Sequence, residues 1–170
     1  SDALLAFASG GIRRDFEHHV AAWDMKSGNF KSGWPQVIED WQLFSTPVIA
    51  DVDGDGKVEV ILGSGGYLVH AWNVDGVEAK GFPKFTGGWV LSSPAVGDLD
   101  GDGKLELVTT TRNGYVYAWR TGGSAKGRID WDSFHHDARN TGNYDLKLDQ
   151  GVAASPSSGS KAPSATTPAI

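Results

Sequence analysis

An acidic nonapeptide occurs twice in this chain, and the interval between its copies limits the folds open to it. DVDGDGKVE fills positions 51–59 and DLDGDGKLE fills positions 98–106, a spacing of 47 residues. From Ser45 to Gly76 every position pairs, without a gap, with the position 47 further on. Pro47 falls on Pro94, Glu59 on Glu106 and Trp72 on Trp119. One register slip upstream aligns Gly33-Trp34-Pro35 with Gly81-Phe82-Pro83. The tail of an earlier copy is visible in ALLAFASGG at 3–11 and VAAWDMKSG at 20–28, with Trp23 in the place of Trp72. Self-similarity at periods of 20–50 residues belongs to propellers, solenoids and arrays.

Within a unit the segments are short and strand-like. STPVIA (45–50) is apolar and β-branched, VEVILG (58–63) follows the acidic loop, and YLVHAW (67–72) comes after a Ser64-Gly65-Gly66 turn. Asn73-Val74-Asp75-Gly76 is a second turn, and VEAKGF (77–82) is read as a weak outer strand. Four short strands per period, separated by glycine-rich turns, are the pattern of a β-propeller blade. The 23 glycines support this, since they favour turns over long helices. The expected fold is therefore all-β: a β-propeller fragment of about two and a half four-stranded blades. Residues 1–44 are the end of a truncated blade and its link to the next, 45–91 are one blade, and 92–149 are the last blade with a closing segment. Residues 150–170, rich in Ser, Pro, Ala and Thr, are a disordered tail or linker, because so few apolar side chains cannot offset the entropy of ordering.

The acidic loops carry the chemistry. Asp51, Asp53 and Asp55 offer side-chain oxygens at alternate positions, Gly56 permits a sharp turn, the Lys57 carbonyl is a further donor, and Glu59 closes the set. The second loop repeats this with Asp98, Asp100, Asp102, the Lys104 carbonyl and Glu106, around Gly103. Like charges roughly 4 Å apart repel by about 4 kcal/mol per pair at an effective dielectric near 20, so four carboxylates make a poor turn without a cation. Many flexible oxygen donors favour calcium over magnesium, which keeps its waters. An EF-hand loop starts similarly but needs a glutamate at position 12. Position 12 here is Leu62 or Thr109, between strands, so that class is rejected. Two calcium ions are expected per chain.

The pattern SxPxxxDxDGDGKxE, followed by an apolar strand, VxAW and G-[WF]-P, resembles the FG-GAP or VCBS-type repeats. These build the β-propeller of integrin α subunits and of many secreted bacterial proteins. The resemblance covers about residues 20–123. It implies that each acidic loop joins two strands of a blade and binds calcium through the ten positions named above. WDSFHHDARNTG (131–142) is similar to the segment that ends bacterial propellers of this type.

Composition narrows the remaining choices. The net charge is −6, and 8 of the 21 acidic residues lie in the two nonapeptides, so nothing indicates nucleic acid as a partner. No apolar run approaches the roughly 20 residues of a membrane span. With no cysteine, disulfides contribute nothing, and bound metal takes their role in an exported protein. The chain does not begin with Met and reads as an excerpt, with further units expected N-terminally as partners for its open blade face. Trp23, Trp72 and Trp119 are expected to pack between blades. The less regular Trp34, Trp41, Trp89 and Trp131 are candidates for stacking on sugars or anchoring a protein. His18-His19 and His135-His136-Asp137 lack HExxH spacing, and no GxSxG elbow occurs. Asp137, Arg139 and Asn140 are expected to pin the closing segment.

The functional expectation is a non-catalytic, calcium-binding portion of a secreted or cell-surface protein, serving in binding, adhesion or spacing, with an unidentified protein or carbohydrate ligand. The alternatives are a propeller part of a secreted hydrolase, a protease or a polysaccharide lyase, and a lectin using the irregular tryptophans.

Overall fold

A computed structural model describes residues 4–9, 18–42 and 44–148, the first of these stretches by its backbone alone. The expected flexible tail at 150–170 lies outside the described residues. These contain eleven strands and no helix. The strands are β1 (Leu4–Ser9), β2 (His18–Asp24), β3 (Gln36–Ile38), β4 (Val48–Ala50), β5 (Glu59–Gly63), β6 (Leu68–Trp72), β7 (Lys84–Phe85), β8 (Ala95–Gly97), β9 (Lys104–Thr110), β10 (Val116–Ser124) and β11 (Ile129–Trp131). They form three antiparallel sheets, ordered β1-β2-β3, β11-β4-β5-β6-β7 and β10-β9-β8.

The 47-residue period of the sequence is also a period of strand register. Val48 faces Ile61 as Ala95 faces Val108, and Ala50 faces Glu59 as Gly97 faces Glu106. Val60 faces Trp72 as Leu107 faces Trp119. Side chains alternate across a strand, so a slip of one residue would turn every apolar group to the wrong face. The repeat in the sequence is thus a repeat in which residues face each neighbouring sheet.

The central sheet is covered on both faces, and β5 shows why its residues are uniformly apolar after Glu59. Val60 and Leu62 pack with Val20, Ala22, Trp34, Ile38 and Trp72 on the side of the first sheet. Ile61 points the other way, into a cluster with Val48, Ala50, Val69, Ala71, Val90, Val96 and Leu107. A strand buried on both faces reads as an apolar run instead of an alternation. Trp72 packs toward the preceding sheet, and so does Trp119, which lies against the cluster on the other side of the central sheet. Trp34 and Phe82, aligned by the slip in the repeat, occupy the same pair of clusters. Each is followed by a cis-proline bond.

Two expectations about strands need correction. The outer strand is not 77–82. That stretch makes a single bridge, Trp72 with Glu78, and the pairing edge is β7. The reason is local, because the Asn73 side chain accepts bonds from Asp75 and Val77 and holds those residues in a turn. The sheets also do not each have four strands. The central one has five, because β11 leaves its own unit and pairs with β4, Ile129 opposite Ala50 and Trp131 opposite Ile49. The Asp51 N–H also donates to the Arg128 carbonyl, and the Val96 N–H donates to the Asp132 carbonyl. β11 therefore bridges the first strands of two units and covers an edge of unpaired backbone groups.

Trp72→Ala should cost about 3–5 kcal/mol, as for large aromatic truncations in a packed core. Phe44→Ala, at a side chain 80% exposed, should change stability by no more than about 0.5 kcal/mol. Urea denaturation of the two variants checks the contrast, and equal losses would contradict the packing described.

Candidate metal centre

Each acidic loop joins the first two strands of its unit, 51–58 between β4 and β5 and 98–103 between β8 and β9. Both fold by the same internal bonds. Gly54 and Gly56 N–H groups donate to the two oxygens of Asp51 at 2.7 and 3.0 Å. Gly101 and Gly103 do the same to Asp98 at 2.8 and 2.9 Å. Asp53 accepts from the Asp55 N–H and Asp55 from the Lys57 N–H, a pattern matched by Asp100 with Asp102 and by Asp102 with Lys104. Short acidic side chains bond readily to backbone two residues on, which winds the loop around its own carboxylates. Gly56 has φ +87° and Gly103 φ +85°, the left-handed conformation that glycine adopts without a Cβ penalty.

The structure gathers three carboxylates in each loop: Asp51, Asp53 and Glu59, and Asp98, Asp100 and Glu106. One oxygen from each lies within 4.8 Å of the others. Asp55 and Asp102 fall outside these sets: Asp55 accepts from the Lys57 N–H, and Asp102 accepts from the Lys104 N–H and pairs with Arg120. The glutamates are the telling members. Glu59 is fully buried, and its Oε2 accepts from the Val52 N–H at 2.8 Å. Glu106 is 6% exposed, and its Oε2 accepts from the Leu99 N–H at 2.9 Å. In both, the remaining oxygen, Oε1, is buried with no hydrogen-bond partner among the described residues. A buried acceptor without a partner is expensive, and an anionic one more so. Hard oxygen donors in this number fit a divalent cation of calcium's size, and the orphan oxygens are where it would be held.

The electrostatics agree. Burial pushes the Glu59 carboxyl up to about 7, against the Val52 hydrogen bond, and the charges of Asp53, Asp51 and Asp55 push in the same direction. In the second loop the Arg120 guanidinium bonds to Asp100 and holds that carboxyl below its usual range.

Two features of these loops were not read from the sequence. The first loop is roofed by the second unit: Gly122 and Gly123 N–H groups donate to the Val52 carbonyl at 2.8 and 3.2 Å. A Cβ on Gly123 would sit 2.1 Å from the Asp51 carbonyl oxygen, so only glycine fits there. The second feature is Arg120 beside Asp100, Asp102 and Glu106. Its one available signal was a basic residue at the position where the first unit has Asn73.

The histidines have other surroundings. His70 is buried, stacks on Trp72 with centroids 4.7 Å apart, and bonds Glu78 through Nδ1 and Glu39 through Nε2. Burial opposes its protonation, yet the bonds and charges of Glu78 and Glu39 outweigh this and raise its pKa. It ties the segment after β3 to β6. His18 is buried and lies 5.6 Å from Trp41. His136 is buried edge-on to Trp131, and Ser133 donates to Asp132 instead of a histidine. Asp137 accepts from Arg139 and Thr141, while Asn140 takes part through its backbone, so the closing segment is pinned chiefly by Asp137. Of the irregular tryptophans, Trp34 is buried and Trp131 half-buried, while Trp41 and Trp89 are exposed.

Residues 51–109 match the family model of the FG-GAP-like repeat. The match runs from the first residue of the first acidic loop to the strand after the second, so this stretch of the chain is an FG-GAP-like repeat region. No curated protein gives a significant match to the chain.

Without metal, raising the pH from about 4.5 to about 7 should lower the melting temperature. Over that range Glu59 ionises more readily in the unfolded chain than in the folded one. Glu59→Gln should flatten this slope and raise the metal-free melting temperature at pH 7.5, since the amide keeps the shape and removes the buried charge. Differential scanning calorimetry in chelator checks it, and a Gln variant that melts lower with an unchanged slope would contradict it.

Proposed function

We propose that this chain is part of a calcium-stabilised β-propeller whose units are blades. It serves as a non-catalytic binding, adhesion or spacer module of a secreted or cell-surface protein. The single observation that carries the reading is the pair of buried glutamate oxygens, Glu59 Oε1 and Glu106 Oε1, left without partners among other carboxylates in loops of identical bonding. An FG-GAP-like repeat favours a propeller-type binding module, and three stacked antiparallel sheets suit blades. In this reading Asp51, Asp53, Asp55, the Lys57 carbonyl and Glu59 hold one ion. Asp98, Asp100, Asp102, the Lys104 carbonyl and Glu106 hold the other. So many protein donors leave the ion a structural task, joining two strands and offsetting buried charge.

Calorimetric titration tests this. Two sites are expected, with dissociation constants on the order of 10⁻⁴–10⁻³ M, as for extracellular modules. Asp53→Ala should delete one site and Asp100→Ala the other, and each should lower the melting temperature only when calcium is present. Folded protein that takes up no calcium at millimolar concentration would overturn the proposal.

One observation favours a carbohydrate as the ligand. Strands alternate in direction, so the turns at 64–67, 86–90 and 112–115 lie at the end of the sheets opposite the acidic loops. A groove of about 450 Å³ there is lined by Tyr67, Trp89, Arg112 and Asn113, and it adjoins an apolar hollow at Trp41. Flat aromatic faces beside planar polar groups are what a sugar ring stacks on and bonds to. Titration of tryptophan fluorescence with a panel of neutral and acidic oligosaccharides should show saturable quenching that Trp89→Ala removes. No quenching across the panel would leave a protein ligand as the reading.

A further inference from the structure

The two acidic loops share their sequence pattern, internal hydrogen bonds and orphan glutamate oxygen, but they differ in their neighbours. Arg120 stands directly across the ladder from Glu106 in the β10–β9 pair, so strand register brings it to the loop. Its guanidinium pairs with Asp100, lies 3.2 Å from Asp102, and comes within 3.9 Å of Glu106 Oε1. Three carboxylates of the second loop therefore face one guanidinium. The position 47 residues earlier is Asn73, which has no charge, and its side chain is occupied by the N–H groups of Asp75 and Val77. Among the described residues no Lys, Arg or His forms an ion pair with Asp51, Asp53, Asp55 or Glu59.

The surroundings sharpen the contrast. The first loop is roofed by Gly122 and Gly123, and Asp51 and Val52 are buried. The second loop is open, with Leu99 62% exposed, and the Arg120 side chain is itself largely exposed. The guanidinium offsets part of the charge of the second cluster without satisfying it. At 3.9 Å it is too far to bond Glu106 Oε1, which stays unpartnered.

We infer that Arg120 is a built-in counter-cation of the second loop, which a metal ion must displace, so the two sites differ in affinity. The inference rests on the calcium reading above. The first loop, with no internal cation, takes calcium first. The second fills at higher calcium, when the guanidinium moves off Asp100 and Asp102 into solvent. The two sites then fill over different calcium ranges, the first loop ahead of the second. The expected separation is up to about fivefold in dissociation constant, the upper end of what an exposed ion pair contributes.

Calorimetric titration of the full chain with calcium chloride tests this. The unmodified chain should give a two-step isotherm. Arg120→Asn, which copies Asn73, should tighten the weaker step by about fivefold and leave the stronger one unchanged. Arg120→Lys keeps the charge and should stay closer to the unmodified chain. In the Asp53→Ala background only the second site remains, and Arg120→Asn should tighten it by the same factor. A second readout does not depend on that background folding well: in chelator, Arg120→Asn should lower the melting temperature, and saturating calcium should remove the difference. Two equal sites that Arg120→Asn leaves unaltered, or a weaker step that it loosens, would overturn the inference while calcium binding itself stood. No calcium uptake by the unmodified chain would overturn the calcium reading and this inference together.

Discussion

The burial of β5 on both faces is the constraint from which the rest of the structure follows. Val60 and Leu62 face one sheet and Ile61 the other, so the strand can be placed in only one register without exposing apolar area or burying polar groups. The same strand begins with Glu59, and fixing its register drags a carboxylate out of water. The acidic loop meets part of that cost by supplying a backbone N–H to one glutamate oxygen, and it brings two further carboxylates within 4.8 Å of the glutamate. Core and candidate site are thus consequences of one strand placement, and the second unit repeats both at β9.

Completion of the first loop is not local. Gly122 and Gly123 come from the end of β10, and the chain then runs on to pair as β11 with β4. A glycine pair is needed because the backbone of one unit approaches the loop of another too closely for any Cβ. Neighbouring units are therefore joined by more than apolar stacking. His70 adds a polar tie of the same kind, linking Glu39 from the segment after β3 to Glu78 beyond β6.

On the reading proposed, this arrangement separates two tasks. The acidic ends stiffen the units and respond to calcium. The opposite ends carry the aromatic groove, on the turns at 64–67, 86–90 and 112–115. Strand direction alone sets this division, because successive turns of an antiparallel sheet fall at opposite ends. Among the described residues no helix is long and apolar enough to cross a membrane.

Much of this was legible in the residues themselves. The 47-residue period follows from self-similarity along the chain, and the strand segments read at 45–50, 58–63 and 67–72 and the loop carboxylates follow from patterns within about 30 residues. Alternation, turn chemistry and charge spacing act at that range, so the sequence alone determined an all-β repeat with two acidic loops. What only the tertiary structure decided is long-range. Pairing of β11 with β4, the glycine roof over the first loop and the place of Arg120 beside the second depend on which edges and surfaces meet after folding. The outer strand also moved from 77–82 to 84–85, because the Asn73 side chain holds the intervening turn. The two nonapeptides are nearly identical as text. They differ as sites because a loop's electrostatics are set by the groups that packing brings to it, and one received a guanidinium where the other received a roof of glycine.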